Sequence, residues 1–435
     1  MKSPVYFDYQ ENPKIRVYMN EKLKSHKTYT KGLYQLAYAA TLDNIIEPIV
    51  GLPDLTGAYG LPVGGVLATD AEKGPISLNA IGGDIGCGIS LSQTSIPKQG
   101  FFDSKLNINK CQKVTSSIKK QLFSDKESNP EKLLLKGAEG ISDTKEMFKI
   151  ENYGSLKINN SDTIDKKLIK KAEDQIGTLG GGNHFIDFLY CTEIEDKDLA
   201  KRWNINPDNI QFMIHTGSRG VGSYIKNKYS DPDKYHDKIS RIFQPKKFNS
   251  EKGQEIFYAT KIASNFAYAN RAKVREIVEE AVDSKSELLY DFIHNNITLE
   301  DDMLVHRKGA SSAFPKSHKG NVETYLETGH PIIIPGTLGT STYILSGTDK
   351  LKNTFYSVNH GAGRKWPRGY VRKKQNQKRF KQKPENVFIN LSLKNYVEEL
   401  PIVYKDIDET INTLEENGLI KKVAKLKPFF VYLEQ

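Results

Sequence analysis

Three cysteines among 435 residues, Cys87, Cys111 and Cys191, are too few and too scattered to staple a chain of this size with disulfides. A cysteine with a special task here is a ligand or a nucleophile. The sequence also lacks any apolar run of the roughly 18 residues that cross a bilayer. Residues 1–19 lack the apolar core of a signal peptide. Both absences point to a cytoplasmic protein with no membrane partner. No Ser/Gly/Pro-rich linker divides the chain, and no repeat of solenoid or propeller period is visible. One large body over 1–435, with insertions, is expected. At 38% hydrophobic and 27% charged, the chain can build a substantial core and does not resemble a disordered polymer.

A formal net charge of +10 suggests an anionic partner, because lysine and arginine beside phosphates release condensed counterions. Lysine-rich composition alone produces the same number, so the charge directs attention to nucleic acid without establishing it.

Short apolar runs separated by glycine-rich turns read as strands: Ile49 to Leu52, Gly64 to Ala68, Phe185 to Leu189, Phe212 to His215, Pro331 to Pro335 and Tyr343 to Leu345. Between about Gln254 and Asp283, Ile256, Ala259, Ile262, Phe266, Val274, Ile277 and Val278 recur at helical spacing. This helix lies in an expected helical insertion over about 223–300. A second helix starts near Asp406 and stops at Gly418. The pattern is that of a mixed α/β enzyme with its chemistry on loops.

Gly82-Gly83-Asp84-Ile85-Gly86-Cys87-Gly88 places a carboxylate and a thiol three positions apart in a turn whose glycines allow both to converge on one point. Alone, a tight turn with a small buried cysteine explains it as well. Three histidines in glycine- or arginine-rich settings change the balance: His184, His215 and His306. With Asp84 and Cys87 they supply five ligands, enough for two metals sharing the thiolate. Mixed sulfur, nitrogen and oxygen donors suit manganese, iron, cobalt or zinc better than magnesium.

Ser357-Val358-Asn359-His360-Gly361-Ala362-Gly363-Arg364 carries a histidine whose neutral imidazole has a lone pair able to attack phosphorus. The glycines after it let backbone N–H groups approach phosphate oxygens. The Pro335-Gly336-Thr337-Leu338 turn, which follows an apolar strand, offers amides and hydroxyls for a purine or ribose pocket, or serves as a plain turn.

Taken in order, these segments resemble the RtcB family of RNA ligases. The match starts at Gly60-Leu61-Pro62-Val63-Gly64-Gly65 and runs through the Asp84/Cys87 turn, Gly177 to Phe185, His215 to Gly220, Ser264 to Arg271 and His306-Arg307-Lys308-Gly309-Ala310. It continues through the Pro335 loop and His360-Gly361-Ala362-Gly363-Arg364, ending near Tyr404-Lys405-Asp406-Ile407-Asp408. The resemblance implies a compact α/β body, mixed α+β, with central β-sheets, surrounding helices and a deep metal-lined cleft. It implies two manganese ions, with zinc or cobalt as other occupants: Asp84, Cys87 and His184 on one, and Cys87, His215 and His306 on the other. Around the guanylate it places Asn183, His184, Phe185, Ile186 and Asp187, then His306 and Arg307. The remaining guanylate contacts it implies are Pro335, Gly336, Thr337, Leu338 and Thr342, with His360, Gly361, Ala362 and Gly363. The implied reaction is GTP-dependent joining of an RNA 2′,3′-cyclic phosphate or 3′-phosphate to a 5′-hydroxyl, through a guanylyl-histidine at His360. Transfer or ribosomal RNA with broken ends, and an activating accessory protein, are the partners that go with it.

The chain departs from the family pattern at several points. Pro367 precedes Arg368 where a serine is usual. Thr337, Leu338 and Thr342 stand for serine, methionine and serine, and Asp187 stands for a glutamate. Leu433 falls where the family has a lysine that reaches the guanine, which turns attention to Lys425 or Lys427 as substitutes. From Arg364 to Lys383, ten of twenty residues are basic and none is acidic, with Trp366, Tyr370 and Phe380 interleaved. This arm over 364–383 reads as an RNA track, with Arg364, Arg368, Arg372, Lys373 and Lys374 as its contacts. Two other readings compete: a guanylate- and RNA-binding protein that has lost ligation, and a dinuclear metal phosphohydrolase of cyclic phosphate ends.

Overall fold

The computed structural model describes residues 14–103, 105–122, 129–141, 144–159 and 163–434. Two sheets organise it. The larger takes the strands Ser286–Ile293, Gly88–Pro97, Asn209–Thr216, Phe185–Ile194, Ile420–Tyr432, Thr342–Gly347 and Ile332–Pro335 in that spatial order. Every neighbouring pair in this row is antiparallel. The smaller sheet is ordered Ile15–Val17, Ile45–Thr56, Val63–Asp70, Met303–Lys308, Asn295–Glu300. Five of the six sequence-predicted strands fall inside these elements, and the sixth, Pro331 to Pro335, starts one residue before the observed Ile332–Pro335.

The strongest helical pattern forms the 32-residue helix Glu251–Val282. Ser250 caps its start by accepting from the Gly253 N–H, and Asp283 ends it in the left-handed conformation. Its Val274, Ile277 and Val278 pack on Ile186, Phe188, Phe212 and Ile214 of the larger sheet. The opposite face of that sheet buries Ile89, Leu91, Met213, Ile344 and Leu426. The middle of the sheet is thus buried on both sides, with apolar residues such as Phe212, Met213 and Ile214 in succession. The expected insertion over about 223–300 is helical only as far as Val282. Its last part supplies Ser286–Ile293 to one sheet and Asn295–Glu300 to the other, so that part belongs to the sheet framework.

The second predicted helix is Ile407–Glu416, capped by Asp406. In the basic arm only Arg368–Lys374 is α-helical. Among the described residues no helix is long and apolar enough to cross a membrane.

Candidate active site

The site forms where the two sheets meet. The chain leaves the larger sheet at Ile293 and enters the smaller at Asn295, so His294 sits at the joint, where its N–H donates to the Cys87 carbonyl at 2.8 Å. Facing it is the Asp84/Cys87 turn. Gly86 has a φ of +74°, and a β-carbon there would lie 2.9 Å from Ala267 and Ser264 of the long helix. Only glycine lets the turn lie this close.

Two donor groups result, Asp84/Cys87/His184 and Cys87/His215/His294, each with its ligand atoms within 4.8 Å of one another. They share the Cys87 sulfur, which is 3.4 Å from His184 Nε2 and 3.3 Å from His215 Nε2. His215 Nε2 is in turn 3.3 Å from His294 Nε2, and His184 Nε2 lies 2.9 Å from Asp84 Oδ2. Burial pushes the imidazoles of His215 and His294 well below the usual histidine range, so both rings are neutral with a lone pair available. Burial, reinforced by the Asp84 charge, pushes the Cys87 thiol up. Burial also opposes ionisation of Asp84, but bonds from His184 and the Arg219 N–H hold its carboxyl down at about 2. Ring nitrogens of three histidines, a sulfur and a carboxylate thus converge on one place. That donor set fits borderline transition-metal cations.

A cavity of about 390 Å³ opens on this cluster, and Arg219, Lys308 and His360 also line it. A second, of about 470 Å³, is lined by Phe185, Asp187, Pro335 to Leu338, Arg364 and Leu433. Val63, Asn183 and His360 border both. His360 therefore stands where the two cavities meet, and His215 of the cluster faces the larger one. Its Nδ1 is 2.8 Å from Asp54 Oδ2 and 2.9 Å from the Gly309 carbonyl. Both partners are acceptors, so the proton resides on Nδ1 and the lone pair on Nε2.

The family model described as "tRNA-splicing ligase RtcB" matches residues 35–434. The chain belongs to the RtcB family of RNA ligases. It is 31% identical to the tRNA-splicing ligase RtcB of Thermococcus kodakarensis over 98% of this chain and 95% of that protein. The protein of the same name from Methanococcus maripaludis is 32% identical over 91% and 90% of the two chains. That of Nanoarchaeum equitans is 31% identical over 97% and 95%.

The geometry corrects the RtcB-based expectation for His306. Its Nε2 accepts from the Ser77 N–H at 3.2 Å and its Nδ1 lies 3.3 Å from the Leu67 carbonyl, so no lone pair is left for a cation. His294 occupies the place in the cluster expected of it. Arg307 is likewise fully buried and bonded to Ser357 Oγ, Thr298 Oγ1, Glu300 and the Phe355 carbonyl. It braces the strand before His360 and borders neither cavity. Strand alternation turns Phe185 and Asp187 into the larger cavity and Ile186 into the core on the other face. Thr342 is buried in its strand outside the lining, and His184 faces the metal-ligand cavity alone. Asn183, Pro335, Gly336, Thr337, Leu338 and His360 to Gly363 do line the larger cavity.

Leu433 borders the same cavity. Lys425 lies over the Tyr343 ring, 3.5 Å from Asp408, and Lys427 pairs across the sheet with Tyr190; neither reaches the lining. Of the basic arm, Arg364 and Arg368 line the cavity beside Glu399, while Arg372 pairs with Glu398. Lys373 and Lys374 are exposed. Phe380 is buried in the core, whereas Trp366 and Tyr370 stack on each other at 4.7 Å.

Sequence reading passed over three residues. Asp54 was signalled by a lone carboxylate inside the apolar run Ile49 to Leu55. His294 follows a strand with no glycine to mark it. Arg219, left-handed at a φ of +56°, donates its N–H to Asp84 Oδ1 at 2.8 Å and approaches His184 Nδ1 at 3.2 Å.

Proposed function

We propose that this protein joins RNA 2′,3′-cyclic phosphate or 3′-phosphate ends to 5′-hydroxyl ends in the cytoplasm, with GTP as co-substrate and His360 as the covalent nucleophile. The observation that carries the reading is the fixed tautomer of His360. With Nδ1–H held by Asp54 and Gly309, Nε2 presents its lone pair at the passage between the two cavities.

Nε2 attacks the α-phosphorus of GTP, a P–N bond forms and pyrophosphate leaves. The positive charge that develops on the imidazole is stabilised by the Asp54 carboxylate through Nδ1–H, in the way a buried acid steadies a catalytic histidine. An RNA 3′-phosphate, opened from a cyclic phosphate by water where needed, then takes the guanylyl group and the P–N bond breaks. Attack of the 5′-hydroxyl oxygen on the activated 3′-phosphorus closes the phosphodiester and releases GMP. Arg364 and Arg368, at the cavity edge, suit phosphate oxygens.

Asp84, Cys87, His184, His215 and His294 would hold two manganese ions, or zinc or cobalt. Bound there, such cations would supply positive charge against developing phosphate charge.

Incubation with manganese and GTP labelled at the α-phosphate should give an acid-labile protein adduct that is absent in His360→Ala, and added RNA with the matching ends should be joined. Nucleotide binding without an adduct would instead mark a binding protein. Hydrolysis of cyclic ends without an adduct would mark a phosphohydrolase.

A further inference from the structure

Lys405 lies outside both cavities yet ties together the two segments that present the nucleophile. Its Nζ donates to the Pro53 carbonyl at 3.1 Å and to the Leu55 carbonyl at 2.8 Å, the peptide groups on either side of Asp54. Its own backbone N–H donates to the Gly363 carbonyl at 2.8 Å, three residues beyond His360. The two segments are in direct contact: a β-carbon on Gly363, whose φ is +71°, would lie 2.3 Å from the Asp54 carbonyl oxygen. One side chain and one amide thus bridge the Asp54 end of the strand Ile45–Thr56 and the His360 loop.

A fully buried ammonium is a costly way to join two carbonyls. Its charge has a second use. Asp54 is 0% exposed, and its Oδ1 has no hydrogen-bond partner among the described residues, so its side-chain partner is His360, with the charge of Lys405 acting on it from beyond contact distance. The influence is mutual, since burial pushes Lys405 down to about 7 against the opposing pull of Asp54.

We infer that Lys405 is a positioning residue for His360, fixing the peptide groups around Asp54 and the Gly363 end of the loop so that Nε2 points into the passage between the cavities. The inference rests on His360 being the nucleophile.

The test uses the full chain with manganese and α-labelled GTP in single turnover, alongside GTP affinity by equilibrium dialysis. Lys405→Met should slow adduct formation by about 10²-fold, the loss expected for a nucleophile displaced by an ångström, while GTP affinity stays unchanged. Lys405→Arg, which keeps a cation and donors, should recover much of the rate. A folded Lys405→Met protein with the wild-type rate overturns the inference. So does a fall in affinity that matches the fall in rate and is not relieved in Lys405→Arg. Should Lys405→Met fail to fold, Lys405→Gln, which loses the charge but keeps N–H donors, carries the same two outcomes. An adduct that persists in His360→Ala would strike the reading of His360 itself, a result separable from any behaviour of the lysine variants.

Discussion

Exchanging His294 and His306 one at a time for alanine separates a metal ligand from a structural histidine, and the structure predicts opposite phenotypes. Removing the His306 ring leaves the Ser77 N–H and the Leu67 carbonyl, both inside the fold, without partners. Each such orphan costs about 1–3 kcal/mol, so His306→Ala should destabilise the protein by roughly 2–6 kcal/mol. Metal affinity should survive wherever the variant remains folded. Removing the His294 ring takes one of three donors from the Cys87/His215/His294 group. Loss of a residue that only supports a ligand already costs about 10–100-fold in metal affinity, so loss of the ligand should exceed about 100-fold, or roughly 3 kcal/mol.

Cobalt reports both properties in one experiment, because a thiolate-bound ion absorbs in the near ultraviolet and can be titrated optically while thermal melting reads stability. The reasoning fails if His306→Ala melts like wild type but loses the cobalt spectrum. It fails equally if His294→Ala binds cobalt with undiminished affinity.

Cobalt uptake should also strengthen with rising pH. The Cys87 thiol is pushed above its ordinary value and must lose its proton to bind, whereas His215 and His294 are already neutral, so affinity should rise about tenfold per pH unit below the thiol's pKa; a pH-independent titration would refute a thiolate ligand. Asp54→Asn should slow adduct formation by about 10²-fold or more in single-turnover assays without weakening GTP binding, since it disturbs the tautomer rather than the cavity; an unchanged rate would remove Asp54 from the reaction. Lys373→Gln with Lys374→Gln should weaken RNA binding and flatten its salt slope by about 0.7 per lost charge for single strands, while Arg372→Gln should do less because Arg372 is paired with Glu398. Equal slopes in filter-binding titrations would place the arm outside the RNA path. Leu433→Lys should raise the preference for GTP over ATP by about tenfold or more, the worth of one charged hydrogen bond, and an unmoved competition ratio would show that the base lies elsewhere.

The elements were legible because their signals are local. The long helix announces itself by spacing, and Ser250 and Asp283 merely fix its ends. Asp84, Cys87, His184 and His215 were legible because backbone geometry forces glycines around them, and glycine is visible in a sequence. His294 was not, because its position is set by a joint between two sheets. Nothing in Asp291-Phe292-Ile293-His294-Asn295 states that one strand ends at Ile293 and the next begins at Asn295 in another sheet. His306 drew the assignment instead, since Arg307-Lys308-Gly309 beside it looks functional. In the fold, alternation along Met303–Lys308 turns His306 toward Ser77 and Leu67.

Asp54 shows the same limit from the other side. Its partner His360 is 306 positions away, and no spacing rule spans that distance. What a sequence can show is the anomaly, a carboxylate in an apolar strand that must be answered by a donor or a cation when buried. Here both are present: His360 bonds the carboxylate, and Lys405, held by the carbonyls of Pro53 and Leu55, adds its charge. A buried acid answered twice, once by the proposed nucleophile and once by a cation that never meets the cavity, is arranged around the histidine rather than around the stability of the strand. An apolar residue at position 54 would have served the strand better.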